Sequence, residues 1–290
     1  MILDVDPPTV SAVEIFDALQ DKDIYQIIQG NFPRFAYDLE HVEKEYEGWI
    51  EGYRSSLFEV PDGTLCAIDA TLLSELYGRR GLNSRGALAT IYGALLIAAP
   101  FGKCTYCDIS EASSLDHIFP RSRYPWLSIV PSNLVPACAI CNSRWGDSKD
   151  SLQLKPHARR IKGVLPRFLF AHVHLESPWD YSFRVDVSAV QDSEMWKCLE
   201  FADDRLGLTD RWAQSVRGDV IDLCDSIRGF GMSRDVKFAA DTFRDEGAKR
   251  LRRDSNNPLG VLCESLGSQL RGLSGAELHD FITQWADTVR

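Results

Sequence analysis

Four cysteines fall as two pairs, Cys104-Thr-Tyr-Cys107 and Cys138-Ala-Ile-Cys141. Two residues between paired cysteines let both thiolates turn toward one cation at about 2.3 Å, and two such knuckles complete a tetrahedral shell of four sulfurs. A closed shell keeps no open position, so zinc held there is structural and does not activate water. Thirty residues separate the pairs, against about fifteen to twenty in a simple zinc ribbon, so the interval must hold an inserted loop or hairpin. A thioredoxin-like redox pair is the competing reading, but that motif normally occurs once, beside a βαβ pattern that this sequence lacks. Cys66, Cys198, Cys224 and Cys263 stand singly in apolar or helical contexts, where free cysteine behaves as a small buried hydrophobe.

The interval between the knuckles carries a second group of chemically capable residues. It contains Asp116-His117, then Pro120, then Asn133-Leu-Val-Pro, and it runs into Cys138-Ala-Ile-Cys141-Asn142. An unperturbed imidazole is largely neutral, and therefore basic, at neutral pH. Were Asp116 and His117 to lie on a strand, they would point to opposite faces and could share a site only where that strand ends or twists. Pro120, without a backbone donor, fits such an ending.

Taken together, these motifs resemble the HNH, or ββα-metal, endonuclease superfamily over about residues 101–150. The resemblance implies that His117 is the general base toward water attacking a phosphate, and that Asp116 holds a divalent metal beside it. It implies that Asn133 pins the loop and orients the base, and that Asn142 stands where many members have histidine, giving a His-Asn-Asn variant. Oxygen ligands favour a hard cation, so the implied catalytic metal is Mg2+ or Mn2+. Many relatives carry lysine three residues after Asn142, where this chain has Trp145; Arg144 or Lys149 is then the substitute for the missing charge.

A net charge of −10 speaks at first against a polyanionic substrate, because phosphate binding draws on positive charge. The average conceals a reversal. Residues 116–170 hold nine Lys or Arg against three Asp, a local +6, and leave −16 on the remainder. A focused basic patch in an acidic chain suits a nucleic-acid site and suppresses indiscriminate binding. Within it Arg121, Arg123, Arg144 and Lys149 are the expected phosphate contacts, against the plainer reading of a solvated basic face. His157, His172 and His174 could suggest a second metal, but no further ligand pattern accompanies them.

The elements that must position these groups give an α+β chain, mostly helical, with a small central ββα-metal module stapled by the four cysteines. Three segments are expected: a helical region at 1–100, the nuclease module at 101–154, and a connecting segment with a helical region at 155–290. Apolar residues at three-to-four spacing predict helices over 13–19 and 35–50, another from Ser84 to Ala99, and five after residue 192: 193–206, 211–227, 235–252, 259–270 and 275–289. Alternation of Phe183, Val185 and Val187 predicts one strand over 181–187. The least polar run, residues 86–101, is short of the roughly 20 residues that span a bilayer, and the N-terminus has no export signal. A cytoplasmic, membrane-free protein is expected.

The function expected is metal-dependent hydrolysis of DNA. The alternatives are a zinc-stapled module that binds nucleic acid or protein without cutting, and an RNA-cleaving HNH nuclease. Size and layout also resemble nuclease subunits of bacterial anti-phage systems such as Septu, which implies an ATPase or sensor partner.

Overall fold

Helix α1 (Ala12–Leu19) begins with a reciprocal cap: the Glu14 amide donates to the Ser11 hydroxyl, and the Ser11 amide donates to the Glu14 carboxylate. Helix α2 (Phe32–Glu51) buries Phe35, Leu39, Val42, Tyr46, Trp49 and Ile50 along one stripe at helical spacing. The two helices meet through Phe16 and Phe35, whose ring centroids are 4.7 Å apart. The computed structural model describes residues 8–19, 32–51, 59, 77, 88–146, 166–176, 180–186, 188 and 193–287.

Helix α3 (Ala89–Ile97) lies within the predicted 84–99 and packs on a two-stranded antiparallel sheet of β1 (Ser114–His117) and β2 (Leu134–Ala137). Pairing runs from Ser114↔Ala137 to His117↔Leu134. The Leu115 amide donates to the Tyr92 hydroxyl of α3 at 3.3 Å, tying helix to sheet. Helix α4 (Ala139–Trp145) follows β2 directly and packs against β1. The ββα arrangement expected from the sequence is therefore present. All of this lies in the first of two compact units, Met1–Lys162 and Gly163–Arg290.

In the second unit β3 (Leu169–Val173) pairs antiparallel with β4 (Tyr181–Val185). Only β4 was expected; the stretch read as a connector contains β3. Its apolar run hides the alternation, because Phe170 and Ala171 are both only half-buried. Val187 lies outside the described residues. Six helices follow: α5 (Ser193–Leu206), α6 (Leu208–Ser215), α7 (Arg217–Gly229), α8 (Val236–Leu251), α9 (Pro258–Gln269) and α10 (Gly275–Asp287). The single helix expected over 211–227 is two. Ser215 turns its hydroxyl back on the Trp212 carbonyl at 2.9 Å, a local bond that competes with helix continuation just before the break at Val216.

Helices α8 and α9 approach closely through glycine. A Cβ on Gly267 would stand 2.8 Å from the Ala240 carbonyl oxygen, and one on Gly247 3.0 Å from that of Gly260. Buried Asn256 joins this pair to β3, accepting the Phe168 and Leu169 amides and donating to the Pro166 carbonyl. Cys224 and Cys263 are buried free thiols, as expected, and Cys198 is half-buried; Cys66 lies outside the described residues. Among the described residues no helix is long and apolar enough to cross a membrane.

Candidate functional site

The first knuckle is a tight turn in which the Asp108 amide donates to the Cys104 carbonyl and the Cys104 amide to that of Ser110. Asp108 adopts a φ of 53°, which closes the turn. Cys138 is the N-cap residue of α4, its sulfur accepting the Cys141 amide at 3.5 Å. Sheet and helix thus bring the two pairs together.

The four buried sulfurs lie within 4.8 Å of one another, with Cys107 and Cys138 at 4.0 Å. That is far beyond a disulfide, and near the ~3.8 Å edge of a tetrahedron with 2.3 Å metal–sulfur bonds. Hydrogen bonding from Cys104 holds the Cys107 thiol far below its ordinary range, while the same contact pushes Cys104 up to about 12 and Cys141 is driven higher still. Cys104, Cys107 and Cys141 thus oppose one another's ionisation; one divalent cation would relieve that conflict, and the four-sulfur set fits a thiophilic metal.

Asp116 and His117 are the last two residues of β1, at the strand end where neighbouring side chains can serve one site. Asp116 is buried and accepts the Tyr106 hydroxyl at 2.8 Å. Burial and the adjacent Asp116 charge push the Tyr106 phenol well above its usual range, so it remains a donor. Tyr106 in turn meets Trp145 edge to face at 5.3 Å. Trp145 is fully buried, which explains the absence of lysine there: the position points into the core, and a charge would be buried with it.

His117 is half-buried, its Nε2 3.0 Å from the Ser128 carbonyl oxygen. A carbonyl can only accept, so Nε2 carries the proton and the lone pair of the neutral ring sits on Nδ1. The Tyr77 ring packs edge to face against the imidazole at 4.4 Å, while its hydroxyl donates to the Leu115 carbonyl at 3.2 Å.

Asn133 is fully buried in the loop that joins the strands. Its Oδ1 accepts the Phe119 amide and the Tyr46 hydroxyl, and its Nδ2 donates to the Phe119 and Leu127 carbonyls. Every hydrogen-bonding position of the amide is thus used.

Asn142, on the first turn of α4, donates through Nδ2 to the Ser114 hydroxyl at 3.1 Å, and that hydroxyl donates to the Ala137 carbonyl. Ser114 and Asp116 share one strand face. The amide orientation is thereby fixed, leaving Oδ1 as the atom of Asn142 that could hold a cation.

Arg121 lies over the Tyr77 ring at 5.5 Å, whereas Arg123 and Arg144 are exposed. Lys149, with Lys155, His157, Arg159, Arg160 and Lys162, lies outside the described residues. Arg167 belongs to the second unit, paired with Glu264 at 2.7 Å. His172 and His174 are exposed with rings 4.4 Å apart. Among the described residues the four cysteines form the one converging set of three or more such ligands. Sequence reasoning missed Tyr46, Tyr77, Tyr106 and Ser128; only Tyr106, inside the first knuckle, carried a local signal.

Residues 104–148 match the family model for HNH endonucleases. Protein ea31 of Escherichia phage lambda is 27% identical over 125 residues, which cover 43% of this chain and 37% of that protein's length. No solved structure matches. The segment that gathers the cysteines around the Asp116-His117 strand is an HNH endonuclease domain.

Proposed function

We propose that this protein is a metal-dependent endonuclease that hydrolyses phosphodiester bonds of DNA. The observation that carries the reading is His117, held at the end of β1 by the Ser128 carbonyl with its lone pair on Nδ1, inside a segment matched to HNH endonucleases. Cys104, Cys107, Cys138 and Cys141 would hold structural Zn2+. The carboxylate of Asp116 and the Oδ1 of Asn142 form a hard oxygen set suited to Mg2+ or Mn2+. Bound there, the cation would supply charge stabilisation for the phosphoryl and leaving oxygens.

The chain's own residues do the rest. His117 Nδ1 takes the proton of the attacking water as the new P–O bond forms and the bond to the leaving 3′ oxygen breaks. Tyr106 fixes one carboxylate oxygen of Asp116. Asn133 holds the loop against which the base is oriented. Arg121, Arg123, Arg144 and Lys149 are the proposed phosphate contacts. A wider role as effector of a cytoplasmic anti-phage system, with an ATPase or sensor partner, is part of the proposal; co-purification from the native host tests it.

Purified protein incubated with labelled duplex DNA, single-stranded DNA and RNA, with Mg2+, Mn2+ or EDTA, tests the activity. Metal-dependent cleavage of duplex DNA is expected. Cleavage of RNA alone would reassign the substrate, and binding without any cleavage would make this a zinc-stapled binding module.

A further inference from the structure

The nuclease loop is completed from outside the nuclease domain. Residues 118–133 close on themselves where the Ile118 amide donates to the Asn133 carbonyl at 2.9 Å, forming a compact loop with adjoining ends. Three of the four hydrogen bonds of the Asn133 side chain stay within that loop. The fourth comes from the Tyr46 hydroxyl on α2, 87 residues earlier, at 3.1 Å. One turn position away, Glu47 accepts the Ser132 hydroxyl at 2.8 Å. The Tyr46 and Trp49 rings both meet Phe119 edge to face, at 5.8 and 5.2 Å, and Phe35 packs on Trp126 at 5.6 Å.

These contacts form a continuous path to the base. Tyr46 fixes the Asn133 amide; the amide fixes the Leu127 carbonyl and both backbone groups of Phe119. The Leu127 carbonyl lies in the peptide plane that begins Ser128, and the Ser128 carbonyl holds His117 Nε2. A buried amide whose oxygen loses one of two donors opens more readily, and its partners open with it.

We propose that Tyr46 is a positioning residue that latches the 118–133 loop and thereby sets the orientation of His117, making α2 a working part of the site. The effect on catalysis rests on the nuclease reading given above; the effect on the loop does not.

Tyr46→Phe tests the latch, since it removes one hydroxyl and keeps the ring contacts on Phe119 and Trp49. Exchange of the Phe119 amide with solvent should accelerate about tenfold, the population shift expected for one buried hydrogen bond, while the Cys104 and Asp108 amides of the knuckle keep wild-type rates. On DNA, kcat should fall about tenfold, with KM within about twofold because Tyr46 is fully buried. Glu47→Gln, which keeps an acceptor for Ser132, should retain most of wild-type behaviour, unlike Glu47→Ala. Unchanged Phe119 exchange in Tyr46→Phe overturns the latch whatever the activity. Faster exchange with wild-type kcat overturns the positioning role. Wild-type protein that cleaves nothing, yet shows the exchange response on Tyr46→Phe, keeps the latch and overturns the nuclease reading.

Discussion

The HNH domain and the α8–α9 pair of the second unit are held together by different means. The domain has two four-residue strands and a seven-residue helix, and many of its buried apolar residues, such as Phe119, Ile129 and Val130, lie outside those elements. It is held by converging thiols and by buried polar side chains, Asn133 and Asp116, each tied to named partners. The helix pair has ordinary lengths and is held by apolar burial and backbone approach at Gly247, Gly260 and Gly267. Polar and metal-ligand networks fix atoms to positions, which catalysis needs, but they fail abruptly when one member is lost. Apolar packing degrades in smaller steps.

The largest test of that contrast is disruption of the four-cysteine cluster. Cys104→Ser, or strong chelation, should collapse hydrogen-exchange protection across residues 104–145 and leave far more of it in α8 and α9, since structural zinc sites carry about 10 kcal/mol of folding energy. Equal loss in both regions would erase the distinction. Next is Asn133→Ala, which strands the Phe119 amide and two carbonyls in a buried loop; denaturant unfolding should show a loss of about 3 kcal/mol. Gly267→Ala attacks the other region. Its Cβ would meet the Ala240 carbonyl at 2.8 Å, forcing the helices apart at about 2 kcal/mol, with nuclease activity and metal content unchanged.

A smaller effect concerns pH. Glu43 accepts the Ala12 amide with both carboxylate oxygens, and burial pushes its carboxyl up to about 7. The folded state therefore retains a proton that the unfolded chain releases from near pH 4.5, so stability contributed here falls as pH rises from about 4.5 to 7 and is flat above. Glu43→Gln should remove that slope and gain on the order of 1 kcal/mol at pH 8, the remaining solvent screening limiting the gain. A melting series that shows the same slope in both proteins would remove Glu43 as its source.

How much of this was legible follows from where each partner lies. The cysteine knuckles are encoded within a few residues, so spacing alone exposed them; the strand ending in Asp116-His117 and the helix after Cys138 were legible through the resemblance to HNH endonucleases. The stripe of α2 was equally plain as a helix, but its attachment to Asn133 joins residues 87 apart, and no local pattern reports such a contact. Tyr77 against His117 is hidden for the same reason. Trp145 read as a departure from the basic pattern; its burial on Tyr106 shows that the position serves the core. β3 escaped notice because its two half-buried residues, Phe170 and Ala171, are consecutive and break strict alternation.

The central claim is that frame and chemistry are separate: the cysteines build the domain, and His117 does the work on the phosphate. His117→Ala, measured beside wild type for bound zinc, melting temperature and cleavage of plasmid DNA with Mg2+ or Mn2+, tests it directly. Full zinc content, an unshifted melt and a loss of cleavage of roughly 100-fold or more are predicted. Wild-type cleavage by a folded, zinc-loaded His117→Ala protein would contradict it.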